Sequence, residues 1–153
     1  MQALIHAQWD AVIERIHERV PLFREVRAMP LQVIRRQEFY EHFPGLQTPA
    51  CLLVFMGQRR AAHGQVVDVE GSWSAVIVAR DPAGDAYEEA VSRADEFCQR
   101  VLDTQIDVPA MGEQRLTLNA SADIDSVPCS PDHAVYEIAF TTRHYEDRNA
   151  EDE

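Results

Sequence analysis

Residues 50–80 read ACLLVFMGQRRAAHGQVVDVEGSWSAVIVAR, and this stretch predicts a long β-hairpin. Its first part, from Ala50 to Met56, is apolar at consecutive positions, which is typical of a central strand covered on both faces. The strand turns polar at Gln58, and residues 61–64 provide a turn. The return strand then runs from about Gln65 to Arg80 and, at about 3.3 Å per residue, spans about 50 Å.

The two faces of the return strand differ along its length. Its odd positions from Val67 to Ala79 are apolar or small, whereas its even positions are polar at first and become apolar only at Val76 and Val78. The base of the hairpin is therefore expected to be buried on both faces, and its tip to have one apolar face. Such a hairpin is marginal in water on its own. We expect the tip to pack on a neighbouring subunit; the alternative is that it folds back over its own domain.

Two amphipathic helices flank the hairpin. Apolar residues recur every three to four positions over residues 3–20, until Pro21 stops the helix, and again over residues 85–103. Asp85 and Glu88 form a capping-box pattern at the start of the second helix. A short strand is expected over residues 22–29, and a short helix from Ile34 to Phe43.

Two alternating strands follow the second helix, at Arg115–Asp125 and Ala134–Tyr145, and they are expected to be antiparallel neighbours. The pattern as a whole predicts an α+β fold: a single domain over residues 1–146, with a mixed, mainly antiparallel sheet. The sheet contains the long β-hairpin, and both amphipathic helices pack on one of its faces. Residues 147–153 are interpreted as an acidic, disordered tail.

The charge balance argues against nucleic-acid binding. The chain of 153 residues carries a net charge of −12, and all 14 of its Lys or Arg residues are arginine. Binding to nucleic acid requires clustered positive charge, which is the opposite balance. The sequence contains no run of about 18 apolar residues, so no membrane span is predicted. No secretory signal is evident, so synthesis in the cytosol is expected.

The sequence gives no support to an enzyme. No phosphate-binding loop, nucleophile elbow, zinc-protease or calcium-loop motif is present, so we predict no catalytic, cofactor or metal residues. Cys51 and Cys98 are interpreted as buried thiols, and Cys129 as a loop cysteine. Asp123 and Asp125 share a strand face, as acid/base carboxylates would, but strand alternation places acids on solvated faces routinely. The pair Arg59–Arg60 is the better candidate, for salt bridges to an acidic partner.

The order helix, strand, long protruding hairpin, helix and two strands resembles that of the tail-terminator and tail-completion proteins of long-tailed, Mu-like bacteriophages. The resemblance covers about residues 1–146 and includes the final strand ending in Thr141-Thr142-Arg143-His144-Tyr145. It implies a non-enzymatic virion protein, assembled in the host cytoplasm, that forms a ring of six copies. Such a ring caps the tail tube, stops its polymerisation and offers a surface to the neck or connector proteins, while DNA only passes through the lumen.

Under that resemblance, two groups of residues receive roles. The hairpin tip is expected to contact a neighbouring subunit or the tube, and polar strand positions to line the lumen. The first group is Arg59, Arg60, His63, Asp68 and Glu70, and the second is Asn119, Asp123 and Glu137. Two alternatives stay open: another neck, connector or tail component of the same fold, and a small cytosolic ligand-binding α+β domain.

Overall fold

The computed structural model describes residues 4–29, 46–80, 86–112, 114–127 and 133–147, with backbone alone for residues 121–127. Its elements follow the chain in this order: α1 (Leu4–Arg19), β1 (Glu25–Ala28), β2 (Ala50–His63), β3 (Val66–Arg80), α2 (Ala86–Arg100), β4 (Thr104–Asp107), a short 3₁₀ helix (Pro109–Met111), β5 (Arg115–Val127) and β6 (His133–Asp147).

The described strands form one mixed sheet in the order β1-β2-β3-β6-β5-β4. Only β1 and β2 are parallel; every other neighbouring pair is antiparallel. The prediction of a single α+β domain with a mainly antiparallel sheet is therefore confirmed. The long hairpin forms the centre of the sheet, and β5 and β6 are antiparallel neighbours as expected.

Both helices pack on the same sheet face, which we call the helix face. Its core joins Val12 and Ile16 of α1, and Phe97 of α2, to alternate residues of the central strands, including Trp73 and Phe140. The rings of Trp73 and Phe140 are stacked with centroids 6.2 Å apart, and Phe97 meets Phe140 edge-on at 5.8 Å. This packing follows from the sequence pattern, because the apolar stripe of each helix meets the odd-numbered residues of β3.

The opposite face of the sheet changes character along β3. At the base of the hairpin Leu52, Val54, Val76 and Val78 are fully buried, as the consecutive apolar residues predicted. Toward the tip the same face carries Ser72, Glu70 and Asp68. The hairpin is thus a core element at one end and a surface element at the other.

Several elements differ in extent from the sequence prediction: α2 ends at Arg100, β1 covers only Glu25–Ala28, and β5 continues to Val127. Strand β2 continues to His63, because the turn is a two-residue one at Gly64–Gln65, and Gly64 adopts the positive φ of 65° that such turns require. Strand β4 was not predicted, since only Ile106 among its four residues is buried and no alternation is visible. Asp147, assigned to the tail, is the last residue of β6 and pairs with Val66.

Some predictions concern residues outside the described part of the chain. These are the helix at Ile34–Phe43, the loop cysteine Cys129, and residues 148–153 of the acidic tail.

Candidate interaction site

Beyond the helix-covered core, the sheet continues as a three-stranded arm made of residues 57–63 of β2, 66–72 of β3 and 141–147 of β6. Every residue from Gln58 to Val66 is exposed. A bulge at Met56, next to Gly57 with φ of 140°, marks the point where β2 enters the arm. The arm is the part of the described structure that a partner reaches most readily.

On the opposite face, the arm carries alternating charges across its strands. In the register of the sheet Glu70 stands between Arg59 of β2 and Arg143 of β6. Arg143 forms a two-pronged ion pair with Asp68, and its guanidinium carbon lies 5.7 Å from the centre of the Tyr145 ring. The hydrogen bonds from Arg143 hold the pKa of Asp68 below its ordinary value.

On the helix face, a chain of polar contacts ties the arm to α1. Arg60 pairs with the carboxylate of Glu146, whose Oε1 lies 3.2 Å from Nε2 of His144. Nδ1 of His144 in turn lies 3.3 Å from the side-chain amide of Gln8. Gln8 and His144 are buried, so this Gln8–His144–Glu146–Arg60 strap holds helix and arm together inside one chain.

The strap also affects the charge of Glu146. Partial burial raises the pKa of Glu146, but the hydrogen bonds from Arg60 and His144 outweigh that effect, so the pKa lies below its ordinary value. The carboxylate is therefore ionised at neutral pH. Arg60 is consequently committed to an intrachain ion pair, although its side chain remains 41% exposed.

The apolar face of the arm is covered within the chain only in part. Val69 is buried and Val67 is half-buried, whereas Ala62 is exposed. The inner half of the tip is therefore buried within the chain and its outer half is exposed, and the packing of the tip on a neighbouring subunit stays a prediction.

The structure separates the two arginines that the sequence had grouped. Arg59, His63, Asp68 and Glu70 occupy opposite-face positions, whereas Arg60 pairs with Val69 on the helix face. Asn119 and Glu137 also occupy opposite-face positions and are half-buried. Asp123 lies in the irregular stretch of β5 between Ala120 and Ile124, and its side chain is outside the described structure.

Sequence reasoning missed three residues that organise the arm: Arg143, Glu146 and Gln8. Alternation along β6 places Arg143 on the face opposite that of Phe140, but the partner of Arg143 depends on the register of β3 against β6. Gln8 sits on a helical face whose other members are apolar, and that was the only available signal.

The surface depressions are open and have mixed linings. One of about 470 Å³ lies against the strap and is lined by Leu4, Ala110, Met111, Gln114, His144, Tyr145, Glu146 and Asp147. Another of about 500 Å³ lies at the far end of the sheet, where Arg24 and Arg80 face Glu88 and Glu89. In the first, His144 and Glu146 already bind each other and their neighbours, which makes them structural residues.

The described residues show no features of a reactive cysteine, a metal site or a membrane-spanning helix. Burial raises the pKa of the Cys51 and Cys98 thiols, so both stay protonated at neutral pH. No group of three His, Cys, Asp or Glu residues there is placed to hold a metal ion. None of the described helices combines the length and apolarity needed to cross a membrane.

Fold and site together define a single-domain α+β protein whose charged sheet arm is its most distinctive surface. No protein-family model matches the chain, and no curated protein sequence is significantly similar to it.

Proposed function

We propose that this protein is a structural component of a phage virion, a tail terminator that assembles as a ring of six copies on the end of the tail tube. In this role it stops tube polymerisation and offers a surface to the neck proteins. It is not an enzyme, and DNA passes through its lumen without being bound. The protein is made in the host cytoplasm and acts in the virion.

The observation that carries this proposal is the exposed arm. Gln58 to Val66 extend beyond the packed core, and none of their side chains is buried, so they add little to the core of the monomer. An exposed sheet extension with alternating charge is a surface suited to a partner rather than to folding. A ring needs two different patches that meet head to tail, and an arm that reaches out of its own domain provides one of them.

The net charge fits the passage of DNA. Six copies at −12 each would carry −72 in all. Asn119 and Glu137 lie, half-buried, on the sheet face opposite the helices, and we assign these two positions to the lumen. Carboxylates and phosphates repel each other within about 10 Å at ordinary ionic strength, so an acidic channel keeps DNA from adhering.

The runner-up proposal is another neck, connector or tail component of the same architecture. Such a component would use the same arm to bind a different partner. Identifying the protein that binds the arm therefore distinguishes it from a tail terminator. A ligand-binding monomer is the third possibility, and the depression between Arg24, Arg80, Glu88 and Glu89 is its best candidate site.

Negative-stain microscopy of the concentrated, purified protein tests the ring. We expect rings with a central hole, confirmed by a hexamer mass in sedimentation. A monomer at all concentrations, with or without added tail tubes, would contradict the proposal and favour the ligand-binding domain.

Charge reversal at the arm tests which surface closes the ring. Arg59 is the cleaner target, because reversing Arg60 would break its intrachain pair with Glu146. We expect Arg59→Glu to remove rings while the thermal midpoint of the monomer stays close to that of the wild type. Arg19→Glu, an equal charge change at the end of α1, is the matched control and should leave rings intact.

A further inference from the structure

Along the arm, no described strand pairs with the outer edge of β2. Strand β1 pairs with β2 only as far as Leu53, whose carbonyl accepts the backbone N–H of Met29 at 2.9 Å and the indole N–H of Trp9 at 3.1 Å. From Val54 to His63, none of the described strands pairs with that edge. An open edge of this length normally has a partner or a protecting feature, because unpaired backbone groups invite strand addition.

Two other edges of the same sheet are protected by side chains. Where β5 leaves β6, the side-chain amide of Gln114 bonds both the N–H and the C=O of Tyr145, as a neighbouring strand would. At β4, Arg15 donates to the carbonyl of Gln105 at 3.3 Å. Within the described residues, Gln114 therefore caps the edge of β6 and Arg15 bonds the edge of β4, whereas no described strand pairs with the outer edge of β2 beyond Leu53.

We propose that the outer edge of β2, from Gln58 to Ala62, receives an extended, carboxylate-rich segment of a partner protein, which adds to the sheet as a further strand. The inference rests on the proposed function, in which that partner is a subunit of the tail tube or the neck. Backbone hydrogen bonds provide the affinity of such a contact, and side chains select its chemistry.

The chemistry of the segment follows from the charges beside the edge. Arg59, Arg60 and His63 are exposed there, on a chain whose net charge is −12. Arg59 and His63 both lie on the opposite face, so carboxylates on that face of an added strand meet basic groups, whereas Arg60 on the helix face is already paired with Glu146. A basic segment would be repelled at the same positions.

A second copy of this chain is a poorer occupant than a separate protein. Pairing β2 with another β2 would bring arginines together. Pairing it with β4 or with the end of β6 would require the caps from Arg15 and Gln114 to be displaced. Strand β1 spans only four residues and carries Arg27 as well as Glu25.

The register shows which backbone groups receive the segment. His63 and Val66 close the two-residue turn, so their backbone groups face each other. Since the direction alternates along a strand, Gln58, Arg60 and Ala62 direct their N–H groups away from β3. The amides of Gln58 and Ala62, at the two ends of this stretch, serve as the markers of strand addition.

The test uses the full-length protein and a capped synthetic peptide of alternating threonine and glutamate, with an alternating threonine–glutamine peptide as control. We expect the glutamate peptide to slow hydrogen exchange at the amides of Gln58 and Ala62. We expect the neutral peptide, or the Arg59→Glu variant, to bind at least about tenfold more weakly. Ala62→Pro, which removes one outward N–H, should abolish binding, and Ala62→Ser should leave it unchanged.

Each other outcome overturns the inference. Binding without protection at Gln58 and Ala62 places the segment elsewhere, and equal binding of both peptides removes the role of charge. No binding of the glutamate peptide would show that the edge does not accept such a strand. Protection of these amides that rises with protein concentration, without peptide, identifies a second copy as the occupant. Sedimentation scores ring formation separately from peptide binding, so a failure here is distinguishable from a failure of the proposed function.

Discussion

Gly71 shows how tightly a single position of the arm is constrained. A methyl group at its Cα would lie 2.6 Å from Oγ1 of Thr142 and 2.9 Å from Nε1 of Trp73. Those two atoms share a buried hydrogen bond of 2.8 Å. We expect Gly71→Ala to lower the free energy of unfolding by about 1–3 kcal/mol, because that bond must open or the strands must separate. Urea denaturation measures the loss, and Ser72→Ala, on the exposed opposite face, should stay within about 0.5 kcal/mol.

The ion pairs of the arm make its stability depend on pH. The folded state holds the pKa of Asp68 and of Glu146 below their ordinary values of 3.8 and 4.5. Their contribution is therefore complete above about pH 5, and it is lost as the pH falls through the ordinary values and then through the folded ones.

We expect the urea midpoint to fall between pH 5 and pH 3, and Asp68→Asn to make that fall shallower. Glu14→Gln, which removes an exposed carboxyl outside the arm, is the control and should change the slope less. If the urea midpoint of Asp68→Asn falls with pH as steeply as that of the wild type, the ion pair of Asp68 with Arg143 does not contribute to the pH dependence of stability.

The side chain of Gln114 makes the backbone hydrogen bonds that a neighbouring strand would make to β6. Its amide bonds the backbone of Tyr145 where β5 has turned away. We expect Gln114→Ala to speed hydrogen exchange at the Tyr145 amide and to cost about 0.5–1.5 kcal/mol of stability. The variant should also associate more readily at high concentration, because a second edge has been opened. Unchanged exchange at Tyr145 would show that the cap is not formed in solution.

For the whole molecule, one core joins both helices to the sheet, so unfolding should be a single cooperative transition. Phe97 of α2 is fully buried against Phe140. We expect Phe97→Ala to lower the free energy of unfolding by about 3–5 kcal/mol. The unfolding transitions measured by circular dichroism and by tryptophan fluorescence should shift together. Val91→Ala, at a 39% exposed position of the same helix, is the matched control and should cost little. Separate transitions for the two probes would mean that α2 is not part of the same cooperative unit.

In the arm, residue patterns predict which positions are buried, but they do not predict the ion pairs. Alternation along β3 identified Asp68 and Glu70 as surface positions, and the buried base at Val76 and Val78, because side-chain direction in a strand has a period of two. The same pattern does not predict which charged side chains form ion pairs with each other. The pairs Arg143–Asp68 and Arg60–Glu146 join residues 75 and 86 positions apart, and they follow from the register of the strands.

The sequence by itself determined the elements of this protein: two amphipathic helices, a long hairpin with a buried base and a polar tip, and two alternating strands. It did so because periodicity and turn chemistry are local properties that a dozen residues express. Only the tertiary structure decided the strap from Gln8 to Arg60, the cap from Gln114, the separation of Arg59 from Arg60, and the edge of β2 that no described strand pairs with. Those features depend on strand order and register, which are set by the packing of the whole core and appear in no single segment of the chain.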